Sequence, residues 1–200
     1  QPSQPGVSTT ALLRGRTIAE AAKIRGESPE EAIVNLIIED GSRIQCIYFS
    51  MSEDNIRKKI MLPWVSFDSD AGSYSDISKD FITHPRAFGS FARVLGKYVR
   101  EEKLITMEEA IRRLSGFPAE NLGIKKRGYL KTGFFADVVV FDPKIIEDKA
   151  TFEKPLQFAV GVEEVFVNGT QVLSQGEHTG NFSGRFVKGS GYRGLNNFEN

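Results

Sequence analysis

Two aspartates flank a serine in Phe67-Asp68-Ser69-Asp70-Ala71, directly after the apolar run Leu62-Pro63-Trp64-Val65. A carboxylate at the end of a buried strand can act as a general base: it takes a proton from water and hands it to a leaving group. The same residues also suit a plain polar loop, because Asp side chains bond their own backbone in turns. His84-Pro85-Arg86 raises a second possibility. Pro85 keeps His84 out of the α region and suits the start of a helix. Arg86 then falls in the first helical turn, where a cation opposes the helix dipole at a cost of about 0.3–1 kcal/mol. A bound anion reverses that sign, since backbone donors and a bidentate guanidinium together suit a carboxylate. The alternative is a surface arginine paired with Asp80.

Other chemistry is bounded by counts. The chain has two histidines, His84 and His178, and one cysteine, Cys46. A zinc site takes several clustered ligands, so this chain alone is expected to hold no metal. One cysteine permits no internal disulfide, and Cys46, within the apolar stretch 44–49, reads as a buried, inert thiol. Lys and Arg total 26, as do Asp and Glu, so the net charge is zero. That balance argues against a nucleic-acid or acidic-membrane binder. No apolar run approaches the roughly 18 residues of a membrane span. The opening QPSQPGVSTT lacks the order of a signal peptide and reads as a flexible lead-in. Without an initiator Met, the chain is expected to be a processed or cut piece. Its 200 residues, 40% hydrophobic, suffice for about one or two domains with a core.

The elements that must position these residues follow from local signals. Thr17-Ile18-Ala19-Glu20 and Ser28-Pro29-Glu30-Glu31 have capping-box spacing, in which hydroxyl and carboxylate satisfy each other's orphan backbone donors. They predict helices to about residue 25 and over 32–40, the second ended by Gly41. Residues 43–49 form a β-rich run. Ser52 caps a helix over 53–60, Pro63 stops it, and 64–67 reads as a strand. Helix and strand alternate, which suggests βα units and a parallel sheet. Residues 68–84 make a long polar loop, a length often tied to function. A helix over 87–102 places Phe88, Phe91, Leu95 and Tyr98 on one packing face. Thr106 and Glu109 set a third capping box before 110–115, and Pro118 starts a short helix ending at Gly123. Beyond a boundary near 124–127, glycines punctuate strands at 137–141, 164–167 and 170–173. Val167-Asn168-Gly169-Thr170 is a type I′ hairpin signal, because Asn-Gly accepts two positive φ angles.

Several of these segments resemble a known family. ADVVVFDP (136–143), preceded by Gly128-Tyr129-Leu130 and Gly133 and followed by VEEVFVNGTQV (162–172), resembles the C-terminal β-sandwich of the amidohydrolase superfamily. EEAIRRLSGFPAENLGI (108–124) resembles the last helices of its barrel. GRTIAEAAKIRGESPEEAIVNLIIED (15–40), MSEDNIRKKIMLPWVSFDSDA (51–71) and HPRAFGSFARVLGKYVRE (84–101) resemble the N-acyl-D-amino-acid deacylases within it. The likeness covers about residues 14–188.

The resemblance implies an α/β fold: the C-terminal part of a metal-dependent (β/α)8 barrel over 14–124, then a small β-sandwich over 125–188, with 1–13 a lead-in and 189–200 a peripheral tail. It implies zinc-dependent hydrolysis of the amide of N-acyl-D-amino acids to a carboxylate and a D-amino acid. The metal-binding histidines would lie upstream, so zinc belongs to the intact enzyme and the isolated chain is expected to be inactive. Ser69-Asp70 matches the Ser-Asp at the end of the eighth barrel strand, making Asp70 the catalytic acid/base and a contact to the metal, which acidifies the attacking water. The family reads Ser-Asp-Gly there, whereas this chain has Ala71, which disfavours positive φ. Arg86 would hold the substrate's α-carboxylate, Ser69 and Tyr74 would contact substrate, and Asp68 and His84 would support the site. Two alternatives stay open: a cyclic-amide hydrolase resembling hydantoinase or dihydroorotase, and a non-catalytic remnant or partner-binding module. The expected partners are the small-molecule substrate, the missing N-terminal half of the barrel, and further copies of the chain through open strand edges. No nucleic acid or membrane is expected. A cytoplasmic location is favoured, although the true N-terminus is absent.

Overall fold

The computed structural model describes residues 13, 15–41, 44, 46–72, 83–189 and 191–192. The chain divides into two compact units, Gln1–Ser50 and Met51–Asn200. No helix among the described residues is long and apolar enough to cross a membrane.

The first unit contains α1 (Ile18–Arg25) and α2 (Pro29–Asp40). Both begin with the expected reciprocal caps: Thr17 and Ser28 accept from the N–H groups of Glu20 and Glu31, whose carboxylates accept in return. Both end at a left-handed glycine, Gly26 and Gly41, where absence of a Cβ removes the steric penalty. Ala21, Ala22, Ala32 and Leu36 are buried between these helices. Arg25 bonds Glu27 in the connection and Glu39 on α2. The β-rich run at 43–49 is not a strand at any described position, and Cys46 is exposed rather than buried. Strand formation requires a partner to receive the backbone donors, and β-rich composition alone supplies none.

The second unit begins with α3 (Glu53–Ile60), capped by Ser52. The strand expected over 64–67 is also absent; Val65 instead donates to Leu62 in a turn. α4 (Arg86–Arg93) continues into a wider π-helical stretch, Val94–Glu101. Leu95 and Tyr98 are buried as expected, but Phe91 is about half exposed. α5 (Met107–Leu114) is capped by Thr106, yet Glu109 does not complete the box, because Arg112 takes its carboxylate. α6 (Gly116–Asn121) follows.

The described strands form one antiparallel sheet in sequence order: β1 (Val138–Phe141), β2 (Val162–Val167), β3 (Thr170–Ser174) and β4 (Glu177–His178). The β2–β3 turn is the expected one, with Asn168 at φ 52° and Gly169 at φ 82°. Gly161, just before β2, has φ +86°, and a Cβ there would lie 2.7 Å from the backbone of Ile146. Only glycine meets both conditions. The core of this unit joins Ala92, Val94, Leu95 and Val99 to Ala110 of α5 and Ile146, with Phe67, Phe141 and Val162 packed against it. Phe67 therefore anchors the segment that carries Asp68 and Asp70. The chain is thus an α/β protein, with helices supporting the segments from which both candidate groups project.

Candidate functional site

Asp70 and Arg86, separated by a long loop in sequence, meet in space. Arg86 Nη2 lies 2.5 Å from Asp70 Oδ2. The Asp70 side chain is 76% exposed and that of Arg86 46%, so the pair opens to solvent. Asp70 has φ +47°. The positive φ thus falls on the aspartate, one of the few residue types that tolerates it, and not on Ala71. Asp68 sets up that bend: its Oδ1 accepts from the N–H of Ser69 at 2.7 Å. Ser69 is half-buried beside it. Tyr74 lies outside the described residues.

Arg86 is held at the first position of α4. The N–H of Arg86 donates to His84 Nδ1 at 3.0 Å, so His84 serves as a cap for a helix start that Pro85 cannot cap by side chain. The His84 ring packs edge-on against Phe152, with centroids 5.1 Å apart. Burial, and then the charge of Arg86, lower the pKa of His84 below the usual histidine range. Protonation would also remove the Nδ1 acceptor. The unfolded chain therefore binds the proton more readily than the folded one. This contribution to stability is present above the unfolded value, about 6.5, and is lost as pH falls through the lower folded value. Unfolding measured in urea at pH 8 and pH 5 should show a loss of stability on acidification that His84→Ala reduces. An unchanged acid loss in that variant would remove His84 as the source.

Packing fixes the rest of α4. Glu53 accepts from Arg93, Lys97 and Tyr98 at 3.0 to 3.2 Å. Burial acts to raise the pKa of Glu53, but those three partners outweigh it and lower it overall. Arg93 also reaches Asp148 at 3.1 Å, and Arg100 Nη1 donates to the carbonyl of Ile146 at 2.5 Å. A carbonyl-binding role for Arg113 on α5 was missed by sequence reasoning. The signal was a charged residue three positions after Ala110, on the face that helix buries.

Among the described residues no three His, Cys, Asp or Glu side chains gather to hold an ion. Each histidine already uses Nδ1 on a backbone N–H, His84 for Arg86 and His178 for Gly180. Asp70 faces a guanidinium. These residues do not fit a zinc ion by themselves. Asp70 and Arg86 also border neither of two clefts on the described surface, one beside Arg93 and Asp148 and the other beside Lys125 and Arg185.

The model of the amidohydrolase family matches residues 2–173. The D-aminoacylase of Alcaligenes xylosoxydans xylosoxydans is 36% identical over 175 residues, which is 88% of this chain and 34% of that protein. The N-acyl-D-glutamate deacylase of the same organism is 41% identical over 129 residues, 64% of this chain and 25% of that one. The crystal structure of N-acyl-D-glutamate deacylase from Bordetella bronchiseptica, complexed with zinc and a phosphonate inhibitor, superposes with a TM-score of 0.69 at 38% identity. It covers 78% of this chain and 31% of that one. The chain spans about a third or less of the length of these relatives. By the extent of these matches, the chain belongs to the amidohydrolase family.

Proposed function

We propose that this chain is the C-terminal portion of a zinc-dependent amidohydrolase that hydrolyses N-acyl-D-amino acids, and that it supplies the acid/base and the substrate's anion anchor. In this reading residues 14–124 complete a (β/α)8 barrel and 125–188 belong to a small β-sandwich, with 1–13 leading in and 189–200 peripheral. Zinc, which would activate the water, would be held by residues outside this chain.

The observation that carries the reading is the Asp70–Arg86 contact. Arg86 uses Nη2 on Asp70. Its Nη1 and Nε have no partner among the described residues. A guanidinium can hold carboxylates on two edges at once. The two-donor edges of Arg86 are Nη1–Nη2 and Nε–Nη2, and Nη2 has one N–H on each, so a substrate carboxylate on the edge that Asp70 leaves open would lie beside Asp70. In an N-acyl amino acid the scissile nitrogen is one carbon from that carboxylate. Asp70 is thereby within reach of the nitrogen that must leave. It would accept a proton as water adds to the amide carbonyl and return it to the departing nitrogen, so the amine leaves neutral. Asp68, by bending Ser69, and His84, by capping α4, hold the two partners in place. Ser69 and Tyr74 would line the substrate.

The direct test is an assay of the complete protein carrying this chain, supplied with zinc. N-acetyl-D-glutamate and N-acetyl-D-methionine, their L-enantiomers, and hydantoin are offered in parallel. Release of free D-amino acid from at least one D-substrate, with little from its L-enantiomer, is the expected result. Hydrolysis of the cyclic amide alone, or of nothing, overturns the reading.

A further inference from the structure

We infer that Arg113 is a positioning residue for Asp70, an inference that rests on the acid/base reading above. Arg113 is wholly buried, and it makes no ion pair with any described residue. A buried cation without a counter-ion is disfavoured by lost hydration, and that loss lowers its pKa. What the guanidinium does instead is grip the segment leading to Asp70. Nη1 donates to the carbonyl of Ile60 and Nε to that of Val65, both at 2.5 Å. The guanidinium carbon also lies 4.5 Å from the centre of the Phe67 ring.

These three contacts span the end of α3 and the stretch that expectation assigned to a strand. That stretch has no ladder partner among the described residues. The Val65 carbonyl therefore finds its donor in a side chain, and the same rigid planar group takes the Ile60 carbonyl at the end of α3. Asp68 begins where the grip ends, and its turn carries Asp70 to Arg86. The neighbouring Glu109 would be the natural counter-charge, but its carboxylate is occupied by Arg112. Nη2 of Arg113 is buried and has no hydrogen-bond partner among the described residues. The two carbonyls and the Phe67 ring that Arg113 holds all lie on the chain leading to Asp70, so its effect falls first on Asp70.

The test uses the complete protein with Arg113→Met, which keeps volume but gives up both carbonyl bonds, and Arg113→Lys, which keeps the charge and one donor group. Leu95→Ala serves as a destabilised control in the same core. All are assayed well below their unfolding temperatures and corrected for folded fraction. Positioning predicts that Arg113→Met lowers kcat at least tenfold with KM within about threefold, because misplacement by about 1 Å can cost 100-fold. Arg113→Lys should recover part of that loss, and Leu95→Ala should keep its kcat per folded molecule. Unchanged kcat in folded Arg113→Met, or an equal fall in Leu95→Ala, overturns the inference. If Arg113→Met does not fold, Arg113→Lys decides alone: a lowered kcat at unchanged KM supports positioning, and a normal kcat overturns it. Asp70→Asn run alongside separates the two ideas. Near-normal turnover there removes the acid/base reading, whereas loss there with normal Arg113 variants removes only the positioning role.

Discussion

Asp70→Asn in the complete protein is expected to lower kcat by about 100- to 10,000-fold, the usual worth of a positioned proton transfer. The substitution is nearly isosteric. It keeps an oxygen that can face Arg86 and the bend set by Asp68, and Asn tolerates the positive φ that Asp70 adopts. What it removes is the ability to accept a proton. Folding should therefore be little affected, because the side chain is mostly exposed and exposed ion pairs contribute little. KM should change by less than kcat, since Arg86 remains to hold the substrate's carboxylate. The measurement is steady-state kinetics on the preferred N-acyl-D-amino acid, with bound zinc counted per protein and thermal unfolding followed in parallel. A folded, metal-loaded variant with near-normal kcat would show that another group moves the proton. Asp68 would be the first to examine, although its carboxylate is already engaged by the N–H of Ser69.

What the sequence disclosed about this site follows a physical divide. Signals that act over three or four residues were legible. The Thr17 and Ser28 caps, the Gly41 stop and the Asn168-Gly169 turn all form as their side-chain chemistry dictates. Even there, local competition intervened: Glu109 left its capping box because Arg112 sits one turn away on the same helix. Signals that need a distant partner failed. Residues 43–49 and 64–67 have strand composition, but a strand is a pair, and no described segment pairs with them. The exposure of Cys46 follows from the same cause. The resemblance to the deacylases pointed to Asp70 and Arg86 singly, without showing that they touch. That contact spans a loop whose length hides any pattern. Ala71 does not carry the positive φ: the left-handed residue is Asp70, so a glycine at 71 is not required for the bend seen here. Arg113 left one faint trace, its spacing of three from Ala110, because a buried arginine looks like a surface one until its carbonyl partners are placed.

Arg86→Met should raise KM for N-acyl-D-amino acids by about 10- to 100-fold, the equivalent of about 1.5–3 kcal/mol for a hydrogen-bonded charge. The argument depends on where the guanidinium points. Asp70 sits at Nη2, which has an N–H on each of the two donor edges, so in the proposed reading the substrate carboxylate takes the edge that Asp70 leaves open while that contact stays engaged. Removing Arg86 then has two effects. It takes away the anion's donor, and it releases Asp70 from its contact on α4. The first effect requires a carboxylate on the substrate and the second does not. Comparing each acid with the corresponding N-acyl-D-amino-acid amide, which lacks that charge, separates them. The acid should lose far more kcat/KM than the amide, and the amide's smaller loss measures what freeing Asp70 costs. Arg86→Lys should fall between, because an ammonium is a point charge that lacks the planar fork with two donor edges for two carboxylates. Equal losses for acid and amide would mean that Arg86 orients Asp70 alone, and that the substrate's carboxylate is held by some other group.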